Sequence, residues 1–107
     1  MVRIRFERSK GKLVFFESRG HASYGEEGQD IVCAAVSVLS INCVNSLEKL
    51  TEDAFTVDSA DGYLSIRLEE EPSEGASLLM ESLALGLHSI EDAYGREQVR
   101  VLIQEVS

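Results

Sequence analysis

Positive charge is scarce in this sequence. Ten Lys and Arg stand against nineteen Asp and Glu, a net charge of −9. No two basic residues are adjacent in the sequence, whereas phosphate binding needs concentrated positive charge. Direct nucleic-acid binding is therefore not expected, nor is attachment to an anionic membrane surface. A basic protein, or a basic segment of one, is the partner that such a field attracts. Tryptophan is absent and proline occurs once, which excludes a Pro-rich linker. No apolar stretch is expected to span a bilayer, and the alternating Val2 to Glu7 segment lacks the apolar block of a signal peptide.

Cysteine occurs only twice, at Cys33 and Cys43, ten residues apart in one predicted helix. At a rise of about 1.5 Å per residue their Cα atoms stand roughly 15 Å apart. A disulfide needs about 7 Å or less. Reduced thiols suit a cytoplasmic protein. No Cys-x-x-Cys or His-x-x-x-His spacing exists, and Cys33 with His21 falls short of a zinc ligand set. No phosphate-binding loop is present either. Neither a metal nor a cofactor is expected.

What remains is a chain of 107 residues, 44% of them hydrophobic. That is enough for one core without a staple, and residues 1–107 are read as a single domain. Val2, Ile4 and Phe6 alternate with Arg3, Arg5 and Glu7, the period of a half-buried strand. Ser9 to Lys12 reads as a turn. Leu13 to Glu17 is a second strand, with Leu13 and Phe15 on one face and Val14 and Phe16 on the other. Phe55 and Val57 begin a third strand, Asp61-Gly62 a hairpin turn, and Leu64, Ile66 and Leu68 a fourth strand. The run Glu69-Glu70-Glu71 is a solvated strand end. Ser73 caps a second helix, whose apolar stripe includes Ala76, Leu79, Met80, Leu83, Leu87, Ile90 and Tyr94, and Gly95 stops it. Val99, Val101 and Ile103 form a fifth strand. The order ββαββαβ predicts an α/β protein, a mainly antiparallel sheet covered by two helices.

The first helix, from about Asp30 to Leu50, has three distinct sides. Val32, Ala35, Val36, Leu39, Cys43, Leu47 and Leu50 form the principal apolar stripe. Ile31, Ala34, Val38 and Ile41 form a second, which faces either another helix or a second subunit. Cys33, Ser37 and Ser40 share a small, partly polar third side.

The segment that leads into this helix carries the candidate chemistry. His21 opens a loop that holds Gly20, Gly25 and Gly28, read as mobile, and Cys33 lies at the helix start. Unpaired N–H groups and the dipole there favour a thiolate and can stabilise an oxyanion. An imidazole can activate such a thiol. Against this, a free Cys is usually a small buried hydrophobe, and a lone His at a loop edge is usually just solvated. Cys43, on the principal stripe, is read as core and His88 as exposed. Asp30 either caps the helix or orients His21, and Ser37 either hydrogen-bonds near the thiol or makes room for packing.

The spacing Gly20-His21-Ala22, Gly28, Asp30-Ile31-Val32-Cys33-Ala34-Ala35-Val36-Ser37 resembles that of the ribosomal-processing cysteine proteases, the Prp family. The resemblance implies a cytoplasmic homodimeric endopeptidase, with Cys33 as nucleophile, His21 as general base, and Asp30 and Ser37 in supporting positions. The glycine-bounded loop would close over substrate. The implied substrate is the basic precursor of protein twenty-seven of the large ribosomal subunit. It would lose its N-terminal extension by a cut after two aromatic residues and before a small one. A non-proteolytic thiol enzyme and a noncatalytic module binding a basic ribosomal segment are the competing readings.

Overall fold

The structure, a computed structural model, describes residues 1–20 and 29–106, with the backbone alone at Gln29 and Asp30. Its elements are β1 (Val2–Ser9), β2 (Lys12–Arg19), α1 (Gln29–Leu50), β3 (Phe55–Ala60), β4 (Tyr63–Leu68), α2 (Glu74–Tyr94) and β5 (Val99–Val106). The strands form one sheet in the order β3-β4-β2-β1-β5. Every pairing is antiparallel except that of β1 with β5. The expected element order and helix-covered, mainly antiparallel sheet are both present.

Val2, Ile4 and Phe6 point to the helix side with Val99 and Val101, as their period of two requires. The alternation expected for β2 does not hold. Glu7 pairs with Phe15 but Arg8 with Leu13, so the register shifts at a bulge and Val14 is left out of the ladder. Leu13 and Phe16 both enter the core, and the Phe16 ring meets Phe6 at 5.3 Å. Phe15 instead lies on the sheet's open face, where Arg5 and Arg67 cover its ring at 4.9 and 4.3 Å.

On α1, Val32, Val36, Cys43 and Leu47 are buried, while Ala35 and Leu39 are half-buried. Leu39 meets α2 where Gly86 offers no side chain, and a Cβ there would come within 2.9 Å of Leu39 Cδ1. Two residues expected in apolar stripes are exposed, Leu50 at 74% and Tyr94 at 41%. Each is the last residue of its helix, where the sequence period continues but the packing does not. Ile31–Leu50 is also apolar and long enough, by length and composition, to cross a membrane, contrary to the sequence reading. Here that apolarity comes from two separate stripes, one of which belongs to the core. The caps of α2 are as expected: Ser73 accepts a hydrogen bond from the Ala76 N–H at 3.1 Å, and Gly95 ends the helix at φ 96°.

Candidate active site

The start of α1 faces the end of the sheet across a groove of about 460 Å³. Cys33, Val36, Ser37, Ser40 and Ile41 form its helical wall. The turn from Ser59 to Gly62, with Tyr63 and Leu64, forms the facing wall. Val2, Ser18 and Gly20 complete the lining. Cys33 is half-buried and free, and it lines this groove. It is the fifth residue of α1, one turn before Ser37 on the same side. The third side of the helix, read from sequence as small and polar, is thus the side that faces the groove. Ser40, on the same side, is buried and donates to the Val36 carbonyl oxygen at 2.7 Å, so its hydroxyl is satisfied.

Gly20 fixes the strand end beside this groove. Its N–H donates to the Gly62 carbonyl oxygen at 2.9 Å, which ties β2 to the β3–β4 turn. Its φ is +112°, and a Cβ there would lie 2.3 Å from the Met1 carbonyl oxygen. Only glycine fits that conformation and that approach. His21, Gly25 and Gly28, with the loop reading attached to them, lie outside the described residues. Asp30 is the second residue of α1 rather than its flanking cap. In the first turn a carboxylate still complements the helix dipole.

The facing wall is braced from the open side of the sheet. Tyr63 donates its hydroxyl to Glu17 Oε2 at 3.1 Å, and Arg5 Nε donates to Glu17 Oε1 at 3.1 Å. Burial pushes the Glu17 carboxyl up, but the hydrogen bonds from Arg5 and Tyr63 and the charges of Arg5 and Arg19 outweigh it. The carboxyl is held below its ordinary value. The second cysteine has no such access. Cys43 is buried, its thiol lies 3.9 Å from the Leu79 carbonyl oxygen, and burial pushes it up to about 11. His88 is on α2, with Nδ1 3.5 Å from Glu91 Oε1. Among the described residues, no three His, Cys, Asp or Glu side chains are grouped to hold a metal ion.

The facing wall was not legible as part of the site. Asp61-Gly62 marks a hairpin turn in the sequence, but only the strand order β3-β4-β2 carries that turn to the helix start.

The sequence profile of the family described as cysteine protease Prp matches residues 1–99. The chain belongs to the Prp family of cysteine proteases. The ribosomal processing cysteine protease Prp of Bacillus subtilis (strain 168) is 32% identical over 108 residues, covering 94% of this chain and 96% of that protein. Its Staphylococcus aureus counterpart (strain Mu50) is 32% identical over 94 residues, covering 86% of this chain and 88% of the relative. The crystal structure of the S. aureus Prp in complex with a substrate peptide superposes with a TM-score of 0.89 at 28% identity, over 97% of this chain and all of that one. A Streptococcus mutans protein gives 0.85 at 39% identity, over 99% of this chain and 96% of its own. This Prp-family chain is accordingly a cysteine protease, with Cys33 the one cysteine that lines its groove.

Proposed function

We propose that this protease removes the N-terminal extension of a precursor of protein twenty-seven of the large ribosomal subunit. The observation that carries the reading is the position of Cys33, half-exposed at the start of α1 and facing a groove of peptide dimensions. The names of the relatives, ribosomal processing proteases, supply the substrate class. The net charge of −9 suits a basic ribosomal precursor.

In this reading His21 takes the thiol proton and the Cys33 sulfur attacks the carbonyl carbon of the scissile bond. N–H groups at the helix start stabilise the resulting oxyanion. The C–N bond breaks as His21 returns the proton to the leaving amine. Water then attacks the thioester and gives its proton to His21, and the thiolate leaves as the N-terminal extension is released with a free carboxyl end. Asp30 orients His21, and Ser37 supports the thiol side of the groove. The loop bounded by Gly20 and Gly28, with Gly25 inside it, closes over the peptide.

The working unit is a cytoplasmic homodimer. Ile31, Val38 and Ile41 are 58%, 66% and 54% exposed on the outer face of α1, and a second copy is the partner that such a stripe fits. The stripe's remaining member, Ala34, is exposed as well.

Incubation of the purified protein with the purified precursor, read by mass spectrometry, tests the function. One new N-terminus after the aromatic pair is the expected product. Tight binding without any cleavage, by the native protein and by Cys33→Ala alike, overturns it in favour of a binding module.

A further inference from the structure

The face of the sheet turned away from the helices holds a charge pattern that no window of sequence reveals. Arg19 on β2 pairs with Arg3 on β1, and Arg3 pairs with Arg100 on β5. Tyr63 on β4 pairs with Arg19 and ends the row. Three arginines thus stand side by side on three adjacent strands. The next two rows are balanced differently. Arg5 meets Glu7 and Glu17, and Arg67 lies 3.8 Å from Glu7. Among the described residues, Arg19 alone in the first row has a counter-charge, Glu17 at 3.5 Å. Among the described residues neither Arg3 nor Arg100 has an ion pair, and both are exposed.

Like charges directly opposite one another on a sheet are destabilising. In this acidic chain, five of the ten cations stand on this one face, with only Glu7, Glu17 and Asp58 as acids among the paired residues. The fold gathers a cationic row in which, among the described residues, two of the three arginines lack an ion pair, where dispersal would be cheaper; that is the arrangement of a surface that awaits an anion.

The row begins at the groove. Tyr63 lines the groove beside Cys33's helix, and the same ring lies under the Arg19 guanidinium at 4.7 Å. Gly20, also in the lining, follows Arg19 directly. A peptide that leaves the groove past Tyr63 therefore runs onto the arginine row. Three strand spacings separate Tyr63 from Arg100, about 14 Å, or roughly four residues of extended chain.

We propose that Arg3, Arg19 and Arg100 form a specificity site for an acidic side chain of the bound polypeptide, two to five residues from the scissile bond. The proposal rests on the protease reading of the groove. It assigns the open sheet face a role in selecting which sequences are held there. Guanidinium forks suit a carboxylate, which can accept two N–H bonds from one arginine. The overall negative charge then serves a different part of the substrate: basic segments are attracted at long range, and one acid near the cut is read locally.

The test compares peptides that differ only in Glu or Gln, placed in turn at each position two to five residues either side of an aromatic pair followed by Ala. Binding is measured by fluorescence anisotropy on the full-length Cys33→Ala protein, and cleavage on the native protein. At one position at least, Glu is expected to bind roughly three- to tenfold more tightly than Gln, the effect of two or three exposed charge pairs. That ratio should fall toward one at 0.5 M salt, because exposed charges are screened. It should also fall toward one in the Arg3→Gln/Arg100→Gln protein. Each ratio is taken within one preparation, so an unfolded fraction cancels. Arg100→Glu should turn the preference toward Lys. Equal binding of Glu and Gln peptides at every position overturns the proposal. So does a row that binds a single-stranded oligonucleotide through Arg3 and Arg100 while ignoring peptide charge. Loss of cleavage with the Glu preference intact would instead count against the protease reading alone.

Discussion

Cys33 and Cys43 lie ten residues apart on α1 and differ in almost everything but chemistry. Cys43 is enclosed by the core and its thiol is pushed up to about 11 by burial. Cys33 is half-exposed beside Ser37, opposite a turn that belongs to the far strand of the sheet. A long helix laid over a sheet has a side for each purpose. The side that meets the sheet supplies stability, and the side that clears the sheet's end leaves a thiol accessible. In the proposed mechanism, reactivity follows from which side of α1 a residue occupies.

The comparison predicts that changes on the groove side cost turnover and changes on the core side cost stability. Cys33→Ala should lower kcat/KM at least about a thousandfold, since no other group replaces the nucleophile. Its circular dichroism spectrum should match that of the native protein. His21→Ala should lower kcat/KM by about 10²–10⁴, the usual contribution of a general base. Steady-state kinetics on a cut-site peptide measures both. If either variant keeps full activity, the distinction between the two sides collapses.

Gly20→Ala is expected to affect both quantities. The added Cβ cannot fit beside the Met1 carbonyl, and alanine is strained at φ +112°. A loss of about 1–3 kcal/mol in urea denaturation is expected, together with slower cleavage. Cys43→Ala should cost about 1 kcal/mol by the same measurement, through a small cavity, and leave kcat/KM nearly unchanged.

The smallest effect concerns the brace behind Tyr63. The Glu17 carboxyl is held low in the folded protein. Its contribution to stability is therefore complete above the unfolded value, about 4.3, and is lost as pH falls through the lower folded value. Glu17→Gln should flatten that part of the acid limb in a pH series of thermal melts. An acid limb identical in both proteins would show that the brace contributes nothing.

Much of the fold was legible because periodicity is local. Val2-Ile4-Phe6, Leu64-Ile66-Leu68 and the α2 stripe each declare their element within a few residues, and Ser73 and Gly95 mark the ends of α2. The bulge at Val14 was not legible, because it depends on how β1 pairs with β2. The exposure of Leu50 and Tyr94 depends on where packing stops, which the helical period does not encode. Of the candidate site, the groove side of α1 was visible as the small, polar set Cys33, Ser37 and Ser40. The opposite wall was invisible, since residues 59–64 reach it only through the strand order. The arginine row illustrates the same limit. Positions 3, 19 and 100 form no basic run in sequence, yet strand register sets them side by side.

The most direct test of the difference between the two cysteines is covalent labelling. The native protein is treated with one equivalent of a peptide electrophile that carries the aromatic pair, and the adduct is located by peptide-mapping mass spectrometry. The account predicts one adduct per chain, on Cys33, with Cys43 unmodified until the protein is unfolded. Labelling of Cys43 in the folded protein, or equal labelling of both thiols, would contradict it.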